Sequence, residues 1–413
     1  MKIFMFFGEI PIEYGGKKAG GAAKVAWEIS KELSKNHEVY LYPLHDYSEK
    51  KVLNVNVINR NRKKIVFSNL PKVTKVKEYY KFFKKMGFET KYAIRFALSN
   101  SVLEKYIIKY VEKIKPDIIH IHEISAERMF IINLSIKLNI PTVLTSHGVK
   151  SDLYEFENIS IPKSLEDRKK FENYVYNYII SNENNYITAV SSKIREKIIR
   201  YYNIQENKIK TIFNGINEKF INDNNDKELL RKKYNIPIDK KILLTVGTLS
   251  KRKNQILVLK ALKKMPETIS KNILYILIGE GEEKENLVEF VNKNNLNEKV
   301  LFLGNKFSQE LIDYYHLSDY FILTSLSEAM PLVYLEALAS GLPIITIKGI
   351  EGVSDLYDEK CFELAEDYNN IIEAIIKAFS KDWDKEYIIN YSKKFLWNNI
   401  TKEYEKLYME MIN

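Results

Sequence analysis

The chain has 413 residues, 45% of them hydrophobic and 29% charged, with a formal charge of +10 and a pI near 9.1. That length allows two domains of about 200 residues, each with its own core, and no stretch approaches the roughly 20 uncharged apolar residues of a membrane span. A single cysteine, Cys361, excludes an internal disulfide framework.

The opening residues MKIFMFFGEIPIEYGG hold a short apolar run and no small-residue cleavage site, so they read as a strand (2–7) and not as a signal peptide. With the lone cysteine, this sets the expectation of a cytoplasmic protein. The loop that follows carries Gly15, Gly16, Gly20 and Gly21, and an amphipathic helix is predicted from about Gly21 to Asn36. Paired glycines at a strand-to-helix turn let a ligand approach the backbone, although such loops alone are a weak signal. Neither G-x-x-x-x-G-K-[ST] nor G-x-G-x-x-G is present in the loop, which removes the ATPase and ordinary dinucleotide readings.

Strands at 38–42, 117–122, 141–146, 186–190 and 209–213 continue a first alternating β and α series, less regular between 45 and 116. Much of the positive charge lies in this region, from Arg60 through Arg62, Lys63, Lys64, Lys72, Lys75, Lys77, Lys81, Lys84, Lys85 and Lys91 to Arg95. In VKEYYKFFKKMGF the residues Tyr79, Tyr80, Phe82, Phe83 and Phe88 interleave with lysines. The first reading is a solvated helix face over a core. An anionic membrane surface is the second, and nucleic acid a distant third because no recognisable nucleic-acid module accompanies the charge.

His120 and His122 alternate with isoleucines, so both face one side of a strand. The ordinary role for His120 is a buried, hydrogen-bonded histidine. A metal site from this pair lacks a third ligand at matching spacing. His147 follows PTVLTS and precedes Gly148, a strand end where a polar side chain faces a ligand.

The polar stretch 214–228 is the hinge candidate. A second series follows, with strands at 241–246, 273–278, 299–304, 320–325 and 343–347 and a terminal amphipathic helix at 395–413. After KILLTV comes GTLSKRKNQ, in which Arg252 and Lys253 follow a strand and are placed to neutralise a diphosphate as a metal ion otherwise would. The D-x-D at 382–384 sits between helical segments and reads as a helix cap, leaving no metal site. In SEAMPLVYLEALASG, Pro331 suits the first position of a helix from about 331 to 340, and Gly341 suits its end. Glu336 then leans toward the helix N-terminus and Glu328 sits in the preceding loop, so an anion at that terminus is flanked by two carboxylates able to bind sugar hydroxyls. Singly, Glu328 reads equally well as a cap, and Glu336 as an exposed or lysine-paired helix residue.

The chain resembles the retaining glycosyltransferases of the GT-B fold, family four in particular. The resemblance runs through GGAAKVAWEISKELSKNHEV, PDIIHIH, TSHG, AVSS, IFNGIN, VGTLSKRKN, IGEGEEKENL, VLFLGN and above all the pair Glu328 and Glu336 followed by ALASGLP. It implies an α/β fold of two doubly wound, Rossmann-like parallel-sheet domains facing a cleft: 1–215 on the acceptor side, 216–394 binding the nucleotide sugar, and 395–413 crossing back to the first. It implies that Gly20 and Gly21 lie against donor phosphates, that His147 and Glu328 meet the donor sugar, and that Lys253 binds the diphosphate. It places Glu336 on the ribose diol and Gly304 at the base. Met330, Leu332, Val333, Thr248 and Arg252 would complete the donor site. Two positions depart from the family: Thr248 stands where an arginine is usual, and Pro331 where glycine is common. The implied activity is a metal-independent, cofactor-free, retaining transfer of a hexose from a nucleoside diphosphate sugar to a hydroxyl acceptor. That acceptor would be lipid-linked or a growing surface glycan, with peripheral attachment at the membrane's cytoplasmic face. A GT-B sugar-nucleotide epimerase, a phosphorylase of that fold and a non-catalytic nucleotide-sugar-binding subunit remain open.

Overall fold

The computed structural model describes residues 1–16, 20–43, 45–61, 63, 65, 69, 71–122, 125–149, 152, 164–221 and 226–413, the side chains of Glu13 and Glu127 apart. Arg62, Lys64 and residues 222–225 of the hinge candidate lie outside this set. The chain divides into two compact units, Met1–Asn214 with Trp397–Asn413, and Gly215–Leu396.

In the first unit the strands are β1 (Lys2–Gly8), β2 (Glu38–Pro43), β3 (Lys51–Val52), β4 (Val55–Val57), β5 (Ile118–His122), β6 (Thr142–Ser146), β7 (Tyr186–Ala189) and β8 (Ile209–Thr211). They pair in the order β3-β4-β2-β1-β5-β6-β7-β8, and all pairs are parallel except β3 with β4. β1 is buried at every position after Lys2, which suits a central strand covered on both faces. Its end is irregular: Phe7 has φ of 71° and the register with β2 shifts between Phe6 and Gly8. A bulky residue in the left-handed region stores strain, here at a strand end where the sheet order reverses.

The second unit holds β9 (Lys241–Val246), β10 (Ile273–Ile278), β11 (Val300–Phe302), β12 (Tyr320–Leu323), β13 (Ile344–Ile347) and β14 (Phe362–Ala365), all parallel in the order β11-β10-β9-β12-β13-β14. Strand order reverses at β1 and at β9, so each unit has a switch point at a strand carboxyl end. β14 has no counterpart among the expected strands. Its four residues, FELA, are interrupted by Glu363 and half of them are partly exposed, so no apolar run marks it.

The helix Trp397–Ile412 belongs to the first unit. Trp397, Ile400, Tyr404, Leu407, Tyr408 and Met411 recur at helical spacing and are all buried. Glu405 pairs with His37 at 2.9 Å, Glu410 pairs with Lys210, and the Tyr408 hydroxyl lies 2.6 Å from Nδ1 of His120.

In the basic region, Tyr79 and Phe83 of the helix Val73–Lys85 are buried with Phe88 and Phe96, their rings 5.3 to 6.3 Å apart in sequence around the cluster. Phe82 packs on Tyr174 at 4.9 Å. The aromatic residues therefore line the core beneath a lysine face. Arg60 is buried and donates to the Pro43 carbonyl at 2.7 Å, so its charge serves the fold. Asp384 of the D-x-D caps the helix Lys385–Ser392, accepting from the Tyr387 amide at 2.9 Å.

Candidate active site

Three strand ends of the second unit are bound through glycines. The Gly247 amide donates to Ile278 at 2.9 Å and the Gly279 amide to Gly304 at 2.8 Å. A Cβ on Gly279 would stand 1.9 Å from the Gly247 carbonyl oxygen, so only glycine permits this approach. Gly304, with φ of 65°, thus sits beside the loop that carries the cationic turn.

That turn is a short 3-10 helix, Lys251–Lys253, whose start is capped by Ser250: its hydroxyl accepts from the Lys253 amide at 3.4 Å. Asn254 ends it in the left-handed conformation tolerated by asparagine. The chain reversal lays the Lys253 stem over Gly247, where the lysine Cε is 3.8 Å from the position a Cβ would take. Lys253 is buried and its ammonium lies 2.5 Å from Oε1 of Glu328. Arg252 approaches the same oxygen at 3.3 Å and donates to the Ser327 carbonyl at 2.8 Å. Thr248 is exposed, and its carbonyl accepts from Gln255 at 2.9 Å.

Glu328 is 7% exposed. Burial alone would raise its pKa, but the Lys253 and Arg252 charges and the Lys253 hydrogen bond outweigh it and hold the carboxyl below its ordinary range. Its loop is braced from the other side by Gly352, whose amide donates to the Glu328 carbonyl at 2.7 Å. A Cβ on Gly352 would stand 2.9 Å from the Ala329 carbonyl oxygen and 2.8 Å from the Pro331 ring.

The expected helix start moves by one residue. Pro331 has ψ of 123° and precedes the helix Leu332–Ala339, its carbonyl accepting from the Tyr334 amide at 3.1 Å. The ring fixes φ but not ψ, and the extended value turns the chain from the Glu328 loop into the helix. Leu332 and Val333 therefore supply the first-turn amides, where an anion is favoured. Met330 is buried behind them. Gly341, with φ of 76°, follows the helix end as expected.

Glu336 is neither fully exposed nor lysine-paired. It is half-buried, and Oε2 accepts from the Tyr315 hydroxyl at 2.6 Å. Tyr315 is buried between Phe321 and Phe220, with ring centroids 5.9 and 5.6 Å away. Burial, reinforced by the Glu336 carboxylate, pushes the phenol well above its ordinary pKa, so it stays a donor. Tyr315 and Gly352 are not legible as site residues: each sits in an ordinary apolar or turn pattern, and only the fold aims the Tyr315 hydroxyl at the Glu336 carboxylate and the Gly352 amide at the Glu328 carbonyl.

In the first unit, Gly20 caps the helix Gly21–Leu33 and both glycines are exposed. Neither has a positive φ, and a Cβ at either would meet nothing within 4 Å. The described residues thus give no internal reason for glycine there. His147 is half-buried just beyond β6, with Nε2 2.9 Å from Nδ1 of His122. His120 is buried and satisfied, its second nitrogen 2.6 Å from the Thr145 hydroxyl. Among the described residues, no group of three or more His, Cys, Asp or Glu is arranged to hold a metal ion.

Two doubly wound sheets, with a cationic turn, a buried carboxylate and a helix N-terminus gathered at the carboxyl ends of one of them, define a two-unit α/β protein of the class in which strand carboxyl ends are the usual place for a ligand. The family model described as Glycosyltransferase Family 4 matches residues 19–220, and the one described as Glycosyl transferases group 1 matches residues 226–395. The chain belongs to the glycosyltransferases of the GT-B fold. An uncharacterized glycosyltransferase of Methanocaldococcus jannaschii is 27% identical over 250 residues, 57% of this chain and 63% of that protein, so the chain spans less than two thirds of this relative's length. The UDP-Gal:alpha-D-GlcNAc-diphosphoundecaprenol alpha-1,3-galactosyltransferase of Escherichia coli is 27% identical over 74% of this chain and 78% of its own length. The structure of HepE from Anabaena in complex with UDP aligns over 99% of this chain and all of that one, with a TM-score of 0.71 and 16% identity, a likeness of fold. No helix among the described residues is long and apolar enough to cross a membrane.

Proposed function

We propose that this chain transfers a sugar from a nucleoside diphosphate sugar to a hydroxyl acceptor, with retention at the anomeric carbon and without a metal ion. The observation that carries the reading is the meeting of Lys253 and Arg252 on Glu328 beside the first turn of the helix Leu332–Ala339. Loss of a diphosphate leaving group builds charge on phosphate oxygens, and two cations with helix amides are suited to stabilise it. Arg252 takes up the work of the arginine that Thr248 replaces, since its guanidinium already points at the same carboxylate.

In this reading the diphosphate competes with Glu328 for Lys253, and the released carboxylate turns to the donor sugar's hydroxyls. Glu336, steadied by Tyr315, accepts from the ribose diol. Gly20 and Gly21 give the phosphates an open backbone, and His147 meets the sugar. No side chain is assigned as a nucleophile; the departing phosphate assists the acceptor on the face it leaves, through an oxocarbenium-like transition state.

The acceptor is taken to be glycan or lipid-linked. The diphosphoundecaprenol acceptor named for the Escherichia coli relative supports this choice, as does the exposed basic face of Lys77, Lys81, Lys84, Lys85, Lys91 and Arg95. The test is a panel of UDP-, GDP-, ADP- and dTDP-sugars, read by thermal stabilisation and by the anomeric configuration of any product. Donors that stabilise wild type should stabilise Glu336→Ala much less, whatever the sugar. Undiminished donor binding in that variant would refute the placement. Interconversion of nucleotide sugars with no acceptor would favour an epimerase.

A further inference from the structure

β5 ends on His122, which pairs with Thr145 of β6, and this register sets the His122 ring beside His147. The two rings lie 5.2 Å apart at 29°, with Nδ1 of His122 2.9 Å from Nε2 of His147. His120 stacks on the other side of His122 at 4.4 Å. His120 has both nitrogens satisfied, by the hydroxyls of Tyr408 and Thr145. His122 does not: it is 1% exposed and its Nε2 has no hydrogen-bond partner among the described residues.

A charged ring cannot persist there. Burial pushes the His122 pKa well below its ordinary value, and positive charge on His120, His147 or Arg128 acts in the same direction. A neutral imidazole carries one N–H, so the proton sits on Nδ1 or on Nε2. On Nε2 it would be a buried donor with no acceptor, while Nδ1 could only accept. On Nδ1 it donates to His147, and what stays unpaired is a lone pair. Buried orphan N–H groups are the rarer and costlier defect.

We infer that His122 is a positioning residue for His147: it donates from Nδ1 to Nε2 of His147, fixing that ring's plane and confining its proton to Nδ1. His147 therefore meets any oxygen at Nδ1 as a donor, which suits a sugar hydroxyl or ring oxygen and excludes Nε2 as a free base. The assignment of the proton stands on the imidazole geometry; its consequence for transfer rests on the reading of His147 given above.

The chain has six histidines, so the ring nitrogens of 15N-histidine-labelled protein can be resolved by long-range 1H–15N correlation, with His147 identified by its loss in His147→Gln. The expected spectrum shows His147 neutral with the proton on Nδ1. In His122→Phe, which keeps a buried ring but no donor, that tautomer should give way to Nε2–H. In His122→Asn, which restores a donor near the Nδ1 position, it should return. A wild-type His147 protonated on Nε2 overturns the inference without recourse to any variant, as does an unchanged tautomer in a folded His122→Phe. For turnover of a nucleoside diphosphate sugar, His122→Phe should lose about tenfold to a hundredfold, the scale on which orienting partners of imidazoles act. UDP affinity should hold, and His122→Asn should recover most of the rate. A tautomer shift with no loss of turnover supports the positioning role and overturns the assigned role of His147 in transfer.

Discussion

Glu328 is a buried carboxylate held by two cations, and removing one of them asks how much the other can carry. Lys253→Ala leaves Glu328 with Arg252 at 3.3 Å. The loss in unfolding free energy should fall below the roughly 3 to 5 kcal/mol typical of a fully orphaned buried charge, measurable by urea denaturation. Tyr315→Phe removes the donor to Glu336 and keeps the ring packing. It should weaken nucleoside diphosphate binding by about 1 kcal/mol, roughly fivefold in Kd by calorimetry, if the orientation of Glu336 matters to the ribose. Unchanged affinity would assign the hydrogen bond to the fold alone. Both glutamates were legible in the sequence because proline, glycine and helical spacing put them at one helix mouth. Their partners were not, because Tyr315 comes from a neighbouring helix and Lys253 from the turn after β9, and no local pattern records where a side chain will point in three dimensions.

The strands legible in the sequence are those with continuous apolar runs, such as KILLTV and ILYILI, whose bounds match β9 and β10 residue for residue. β14 and the pair β3 and β4 are not legible because polar residues such as Glu363, Asn54 and Asn56 break up their few apolar ones, whereas equally short strands such as β12 and β13 lie in continuous apolar runs. The helix Leu332–Ala339 starts one residue beyond the position the sequence suggests, because proline's fixed φ suits the residue before a helix as well as its first position. The Glu328 loop depends on Gly352, so Gly352→Ala should push Ala329 and Pro331 away, shift the carboxylate and lower donor binding more than thermal stability. Equal losses in both would show a purely structural role. The helix Val73–Lys85 turns Tyr79 and Phe83 inward, which leaves lysines and the exposed Val73, Ile94 and Leu98 for any membrane contact. Binding to anionic vesicles should therefore be electrostatic and vanish at high salt; no binding at low salt would remove the membrane reading.

At the scale of the whole chain, two buried imidazoles make stability depend on pH. Burial, with a smaller contribution from His147, pushes the His120 pKa down to about 3 from 6.5, and His122 shifts the same way. Below pH 6.5 the unfolded chain takes up protons that the folded unit refuses. Stability should then fall as pH drops, by about 1.4 kcal/mol per pH unit for each group, until the folded pKa is reached. Urea midpoints between pH 7.5 and 5 should decline less steeply in His120→Gln than in wild type, and equal slopes would contradict the assignment.

The central claim is that Lys253 and its neighbours stabilise a departing nucleoside diphosphate. It is tested most directly by nucleoside diphosphate release from a panel of sugar nucleotides, with EDTA present, by wild type and Lys253→Ala. The prediction is slow release from at least one donor by wild type and a loss of about a hundredfold to a thousandfold in the variant. Release from no donor, or equal rates from the two proteins, would contradict it.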